Sequence, residues 1–244
     1  MSQAPLPAET RYWHCAGERP AVVNALFDQS APHYDRACAI MSLGLGQRYR
    51  RDALARAGVR ANARVLDVGV GTGLLAREIA RLIGPSGRLI GLDPSSNMIA
   101  RARDRFDARF VLGIGDRLPF AEKRFDFVTM GYALRHVEDL DAAFAEYRRV
   151  LARDGRLLLL EISRPESPLG LALARFYFGT IVPLVTRLTT GSGSAAELMR
   201  LYWDTIARCV PPATILASLR RSGFPSAERK VVHGIFSEYV AVRG

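Results

Sequence analysis

The 244-residue chain is 49% hydrophobic, 24% charged and 9% aromatic, which supports one sizeable core and excludes disordered, collagen-like and disulfide-scaffold classes. Its 34 Lys and Arg against 24 Asp and Glu leave a net charge of +10, which raises nucleic acid or an anionic membrane as partners. Only Lys123 and Lys230 are lysines, and the arginines are spread among acids with no block of about five like charges to mark a binding arm. Cys15, Cys38 and Cys209 are too far apart for a zinc knuckle or a redox dithiol, so no metal site is expected and a reducing cytoplasm is the simplest location. Pro5, Pro7, Glu9, Arg11, Glu18 and Arg19 interrupt the start of the chain, where a secretory leader needs an unbroken apolar run.

Residues 20–57 read as helical. Arg64–Val68 is a short apolar strand running into glycines, and Leu74, Leu75, Ile79, Leu82 and Ile83 form a helical stripe closed by Gly84-Pro85. Residues 88–92 read as the second strand, Ser95 or Ser96 caps a helix to about Phe106, and Arg109–Leu112 and residues 125–130 are the third and fourth strands. A helix over 140–151, with Asp139 at its cap, precedes an Asp154-Gly155 turn and a fifth strand over 157–162. Strand alternating with helix implies βαβ units and a parallel sheet covered on both faces, with its ligand at the carboxyl ends of the strands. From Ser163 to Cys209 the chain is largely helical, broken at Gly191-Ser192-Gly193-Ser194. Within it residues 169–185 reach the lower length of a membrane span but carry Arg175, Gly179 and Pro183, so a core, lid or membrane-surface helix is expected. Pro211-Pro212 opens a last helix, and residues 227–232 and 235–242, joined at His233-Gly234, form an antiparallel hairpin. The economical organisation is one domain: a helical cover (20–57), a core (64–163), a helical insertion (164–210), and a terminal helix with hairpin (211–244).

The strongest local signal is Asp67-Val-Gly69-Val-Gly71-Thr72-Gly73 between the first strand and its helix. Glycines there let the backbone approach a ligand, and the helix N-terminus offers unpaired N–H groups. Asp93 ends the second strand twenty residues after Gly73, where a carboxylate can accept both hydroxyls of a ribose. The dinucleotide fingerprint is G-x-G-x-x-G; here the spacing is G-x-G-x-G, with Leu74 in place of that last glycine, which favours a nucleoside without a pyrophosphate. Asp67 suits a cationic amino-acid group better than phosphates. Ribose, adenine and a positively charged methionine together describe S-adenosylmethionine. Gly115 and Asp116, after the third strand, are placed to meet the adenine edge; Met98 packs either on adenine or in the core. Pro94 beside Asp93 and Gly131 at the end of the fourth strand complete the expected cofactor set.

With those residues in hand, the chain resembles the class I S-adenosylmethionine-dependent methyltransferases, and within them the ubiquinone/menaquinone biosynthesis C-methyltransferase family, over most of its length. Phe27-Asp28 and Tyr34-Asp35, followed by Met41-Ser42-Leu43-Gly44, look like that family's N-terminal signature. Residues 65–73 match its cofactor loop, Leu118-Pro119-Phe120 its Leu-Pro-Phe, and Ala133-Leu134-Arg135-His136-Val137 its Gly-Leu-Arg-Asn-Val. The departures are His136 for Asn, Gly131 for Ser, Asp154-Gly155 for Gly-Gly, and a C-terminal Val231-Val232-His233 run without the family's Asn or Thr. They bear on the acceptor rather than on methyl transfer. The resemblance implies an α/β Rossmann-like class I methyltransferase fold, with a mostly parallel seven-stranded sheet ending in an antiparallel hairpin, and methylation of a ring carbon of a prenylated quinol. A phospholipid amine or an aromatic polyketide, methylated on N or O, is the alternative acceptor. A non-catalytic S-adenosylmethionine-binding partner in a biosynthetic complex is the alternative class. Nucleic-acid methylation is disfavoured: there is no Asn/Asp-Pro-Pro-Tyr motif, and Cys209 is followed by Val210-Pro211 rather than preceded by proline.

Displacement at a sulfonium needs the nucleophile about 3 Å from the methyl carbon in a water-poor pocket. By the resemblance, Arg135 and His136 face the substrate. Arg135 either holds a phenolate or pairs with Glu161 or Asp139, while His136 titrates in the range of a useful base. Tyr34 and Asp35 either close over the ligands or serve as a packed aromatic and a helix cap; His33 is a further base or a surface histidine. Phe176 and Tyr177 in the apolar insertion line a substrate pocket or a membrane-facing mouth, unless they are core. The expected partners are a hydrophobic small molecule and, through dispersed arginine, the periphery of an anionic membrane; a homodimer is left open and no specific nucleic acid is expected.

Overall fold

The computed structural model describes residues 6–7 and 10–244; Pro5 and Glu9, used above against a leader, lie outside them. Three helices, Arg19–Ser30 (α1), Tyr34–Met41 (α2) and Gly46–Arg56 (α3), precede the sheet. Then come Arg64–Val68 (β1), Leu74–Ile83 (α4), Arg88–Asp93 (β2), Ser96–Arg103 (α5), Arg109–Leu112 (β3), Phe125–Gly131 (β4), Leu140–Val150 (α6) and Leu151–Ile162 (β5). The insertion holds Pro168–Phe176 (α7), Val182–Thr190 (α8) and Gly193–Arg208 (α9), and the chain ends with Pro212–Arg221 (α10), Ser226–Val232 (β6) and Phe236–Val242 (β7).

The seven strands form one sheet in the order β3-β2-β1-β4-β5-β7-β6. β1 to β5 are parallel, and β7 runs antiparallel to both β5 and β6. Strand order reverses between β1 and β4, which opens a crevice at their carboxyl ends. Alternation along each strand feeds two cores. Val65 of β1 and Leu158 and Leu160 of β5 face the side packed by Ile79 of α4 and by α9, whereas Leu66, Val68, Leu157 and Leu159 face Phe144 and Tyr147 of α6 and Leu219 of α10. Each such side chain, fully buried, contributes roughly 1.5–3 kcal/mol relative to exposure.

Caps fix the helices that carry the site. Ser95 accepts from the Met98 N–H and starts α5; Asp139 accepts from the N–H groups of Asp141 and Ala142 and starts α6. α5 stops at Arg103, three residues before the expected end. β5 is longer than expected: it begins at Leu151, and pairing steps from Phe125–Leu151 to Phe127–Arg156. Asp154-Gly155 is therefore a bulge inside the strand, not a turn ahead of it. Asp154 sits at φ +59°, and the Asp154 N–H and Gly155 carbonyl bond to Arg243 beyond β7, which pays the ladder cost of the extra residues.

α7 and α8 are one helical run, Pro168–Thr190, of 23 residues; an 18-residue stretch of it has mean hydropathy 1.5 and is 28% buried, so by length and composition it meets the requirement for crossing a membrane. A wider π-type turn over Tyr177–Ile181 interrupts it, where Pro183 offers no N–H to the preceding turn. α9 packs against α8 and α1, so the insertion docks on the N-terminal cover.

Candidate active site

The crevice leads into a cavity lined on one side by the strand ends and on the other by the cover. The glycine loop forms its floor. Gly69, Gly71 and Gly73 sit at φ +67°, +55° and +85°, and a Cβ on Gly69 would lie 2.7 Å from the Ala133 Cβ, so only glycine fits this close crossing of the loops after β1 and β4. Asp93 organises the loop from β2: its Oδ2 accepts from the Gly71 N–H at 2.7 Å and its Oδ1 from the Ser95 N–H at 2.9 Å. Burial raises its carboxyl to about 6 despite those two bonds. Each oxygen keeps a lone pair for a further donor.

Asp67, on the neighbouring strand, is fully buried. Its Oδ1 accepts from the Thr129 hydroxyl at 2.7 Å, while Oδ2 has no partner among the described residues. Burial pushes it up to about 7, the Thr129 bond opposing and Asp93 reinforcing. An orphaned carboxylate oxygen beneath a glycine loop fits the ammonium of a methionine moiety. Asp116 binds the Glu138 and Asp139 N–H groups through Oδ2, at 3.0 and 3.4 Å, and lines the cavity with Gly115, Pro94, Met98 and Gly131. Burial raises its carboxyl as well. Asp67, Thr72 and Gly73 lie next to the cavity without lining it.

Two carboxylates tie the cover to the ligand loops. Asp28 of α1 accepts from the Ser95 hydroxyl at 2.5 Å. Asp35 of α2 accepts from the Thr72 hydroxyl at 2.5 Å and is ion-paired with Arg105. The Tyr34 hydroxyl shares a hydrogen bond of 2.7 Å with that of Tyr202 on α9, and both tyrosines line the cavity beside Phe27. Burial raises the Tyr34 hydroxyl well above its ordinary value. Cover and insertion thus meet over the crevice.

The motif after β4 divides its two candidates. His136 lines the cavity, edge-on to Phe27 at 5.6 Å, with both ring nitrogens buried and without a hydrogen-bond partner among the described residues. Burial, with Arg135 and Arg19 adding repulsion, holds it well below 6.5, so it is neutral at pH 7. Arg135 is fully buried and does not line the cavity. It is ion-paired with Glu161, donates to the Thr205 hydroxyl at 3.0 Å and stacks 4.6 Å over the Tyr202 ring. This is the Glu161 pairing that the sequence held as one of its two readings.

A second, larger cavity of about 760 Å³ lies between α2, α3, α7 and the β6–β7 hairpin. Tyr177 lines it and donates to the Ile40 carbonyl at 3.0 Å, whereas Phe176 is 60% exposed and lines neither cavity. Tyr132 is the residue common to both linings. It follows Gly131 at the end of β4, at φ +63°, with its N–H donating to the Leu160 carbonyl at 2.7 Å.

Sequence reasoning missed Arg19, Phe27, Tyr132 and Tyr202 as cavity residues and Arg50 as part of the second cavity. Tyr132 had an available signal, its place at the carboxyl end of a central parallel strand. Tyr202 had none, because its partner Tyr34 is 168 residues away.

The sequence model of the ubiE/COQ5 methyltransferase family matches residues 15–243. A ubiquinone/menaquinone biosynthesis C-methyltransferase from Hahella chejuensis is 34% identical over 198 residues, 77% of this chain and 80% of its own. One from Pseudomonas paraeruginosa is 33% identical over 227 residues, 90% of this chain and 86% of its own. Among solved structures, a SAM-dependent methyltransferase from Thermotoga maritima superposes with a TM-score of 0.64 at 18% identity, covering 91% of this chain and 100% of that one. Phosphoethanolamine N-methyltransferase 2 from Haemonchus contortus, in complex with S-adenosyl-L-methionine, gives 0.58 at 18% identity over 80% of this chain and 52% of that one.

Proposed function

The chain belongs to the ubiE/COQ5 methyltransferase family and is an S-adenosylmethionine-dependent methyltransferase, and from that premise we propose that its acceptor is a ring carbon of a prenylated quinol. When bound, the cofactor would supply an electrophilic methyl for the ring carbon and leave as S-adenosylhomocysteine, with the displaced ring proton passing to solvent.

In this reading the chain's own residues bind, orient and exclude water. Asp93 accepts the ribose hydroxyls while fixing Gly71 and Ser95 around them. Asp67 offers its free Oδ2 to the ammonium, Asp116 and Gly115 meet the adenine edge, and Met98 packs on its face beside Pro94 and Gly131. Phe27, Tyr34, Tyr202 and His136 form the acceptor side of the cavity. His136 is neutral and poorly basic, so it accepts a hydrogen bond from a ring hydroxyl and polarises it rather than carrying a full proton. Arg135 acts one step back, as a positioning residue, by holding the Tyr202 ring and Thr205. Asp35 and Asp28 latch the cover.

The observation that carries the quinol is the cavity of about 760 Å³ that adjoins the cofactor cavity at Tyr132 and suits a long apolar tail. Its mouth includes Leu43, Leu45 and Leu173, which are 74%, 64% and 59% exposed. Such a rim on a chain of charge +10 fits a peripheral position on the anionic cytoplasmic face of a membrane, where a lipid-tailed acceptor resides. The test is an anaerobic assay with labelled S-adenosylmethionine and reduced demethylmenaquinol beside phosphatidylethanolamine. A C-methylated quinol is expected; label found only in the phospholipid, or on oxygen, would refute the reading.

A further inference from the structure

We propose that Arg50 is an anion anchor for the acceptor: within the second cavity, beside Tyr132, it binds the acidic ring hydroxyl of the acceptor as the oxyanion. The site stands on a side chain that the fold has buried without an ion pair among the described residues. Arg50 lies on α3, is 7% exposed and lines the larger cavity. It makes no hydrogen bond or ion pair among the described residues, and its one close partner is the Tyr132 ring, 5.3 Å from its guanidinium carbon. Burying a lone cation is costly unless a charge or strong acceptor meets it.

Arg50 is the one arginine of α3 that is buried. On the same helix Arg48 reaches Asp52 at 3.9 Å, and Arg56 reaches Glu238 at 2.6 Å. The Arg50 guanidinium passes close to Gly46, where a Cβ would stand 2.8 Å from its Nη1. The titratable groups that feel its charge are Asp67, Cys38 and Tyr132, and none is ion-paired with it.

Chemistry and place then agree. Tyr132 lines both cavities and is held in a left-handed backbone conformation. A ring placed at Tyr132 with one oxygen on Arg50 would present its neighbouring carbon to the cofactor cavity, beside His136, while its tail stays in the larger cavity. A planar guanidinium offers two parallel donors to an oxyanion, and the negative charge so stabilised is delocalised onto the ring carbons that attack the methyl. The ligand class is an acidic aromatic hydroxyl compound with an apolar tail. This assignment rests on the quinol reading for the identity of the acceptor, though not for the anchor itself.

The experiment uses 1-naphthol, whose phenolate absorbs at longer wavelength than its neutral form, titrated with pH on the full chain saturated with S-adenosylhomocysteine. Wild type and R50K are expected to hold a phenolate fraction at least about tenfold larger, at a given pH, than naphthol free in solution, as a cation within about 4–6 Å produces. R50M and R50Q are expected to lose that gain, the second variant covering a failure of the first to fold. In parallel, R50M should lower kcat/KM for reduced demethylmenaquinol by roughly tenfold or more, with S-adenosylhomocysteine affinity unchanged. Failure of wild type to bind naphthol, or equal phenolate fractions in wild type and both uncharged variants, overturns the anchor even if those variants melt lower. Unchanged turnover in R50M and R50Q overturns it while leaving the quinol reading intact. An Arg50-dependent phenolate gain in a protein that does not methylate the quinol refutes the quinol reading and upholds the anchor.

Discussion

Replacing Asp67 with Asn should exchange cofactor affinity for a stability gain that grows with pH. Asp67 is 1% exposed, with Oδ1 on the Thr129 hydroxyl and Oδ2 unpartnered. Burial above all raises its carboxyl from 3.8 to about 7. With the folded value above the unfolded one, the stability carried by the protonated form is complete below the unfolded pKa and is lost as pH rises through about 7. At 1.36 kcal/mol per pH unit, holding this carboxyl in the fold costs about 4 kcal/mol at pH 8 and about 2 kcal/mol at pH 5. D67N keeps the shape and the acceptor for Thr129 and carries no charge. Its buried amide N–H groups cost about 1–3 kcal/mol, equally at both pH values. The pH-dependent remainder, about 2–3 kcal/mol, corresponds to roughly 5–10 °C for a chain of this size. Melting curves at pH 5 and pH 8 should therefore show D67N gaining that much on wild type between the two. Calorimetry at pH 8 should show S-adenosylhomocysteine bound at least about tenfold more weakly, because the ammonium loses a charge-assisted partner. A melting difference that ignores pH would refute the burial account, and unchanged affinity would take Asp67 away from the ammonium.

Asp93→Ala removes the carboxylate that fixes Gly71 and Ser95 and, in the proposed site, the ribose; S-adenosylhomocysteine affinity should fall by about a hundredfold or more, and near-normal binding by calorimetry would undo the cofactor geometry. Glu161→Ala strands the buried Arg135 without its ion pair and should cost about 3–5 kcal/mol, read as a fall in melting temperature of roughly 10 °C. Loss of turnover at full stability would instead put Arg135 in the chemistry. The paired change Leu169→Glu and Phe176→Glu, at exposed positions of α7 that line neither cavity, should abolish cosedimentation with phosphatidylserine vesicles at low salt and leave activity on a short-tailed, soluble quinol unaltered; continued cosedimentation would remove α7 from the membrane contact.

How far the sequence could be read follows from how local each interaction is. β1, α4 and β3 came out with the expected bounds because their signals are contained within a few residues: an apolar run, a stripe at helical spacing, and glycines at each end of α4. The glycine loop and Asp93 were legible for the same reason, since a fixed spacing places both at one strand-end crevice. β5 was misjudged because Asp154-Gly155 has the composition of a turn, and only pairing with Arg243, far along the chain, makes it a bulge. The acceptor side was least legible. Tyr34 meets Tyr202 and Arg135 meets Glu161 across the fold, so the same arginine reads as catalytic in its motif and as a buried ion pair in its surroundings. Arg50 extends this lesson. In the sequence it is one of many arginines behind a net charge of +10 that first suggested nucleic acid; in the fold it is the one buried arginine of α3, lining the larger cavity with no ion pair among the described residues. A surface arginine is screened by water and says little about chemistry, whereas a buried one without a partner is expensive to keep, and burial is set by tertiary packing that no local pattern encodes.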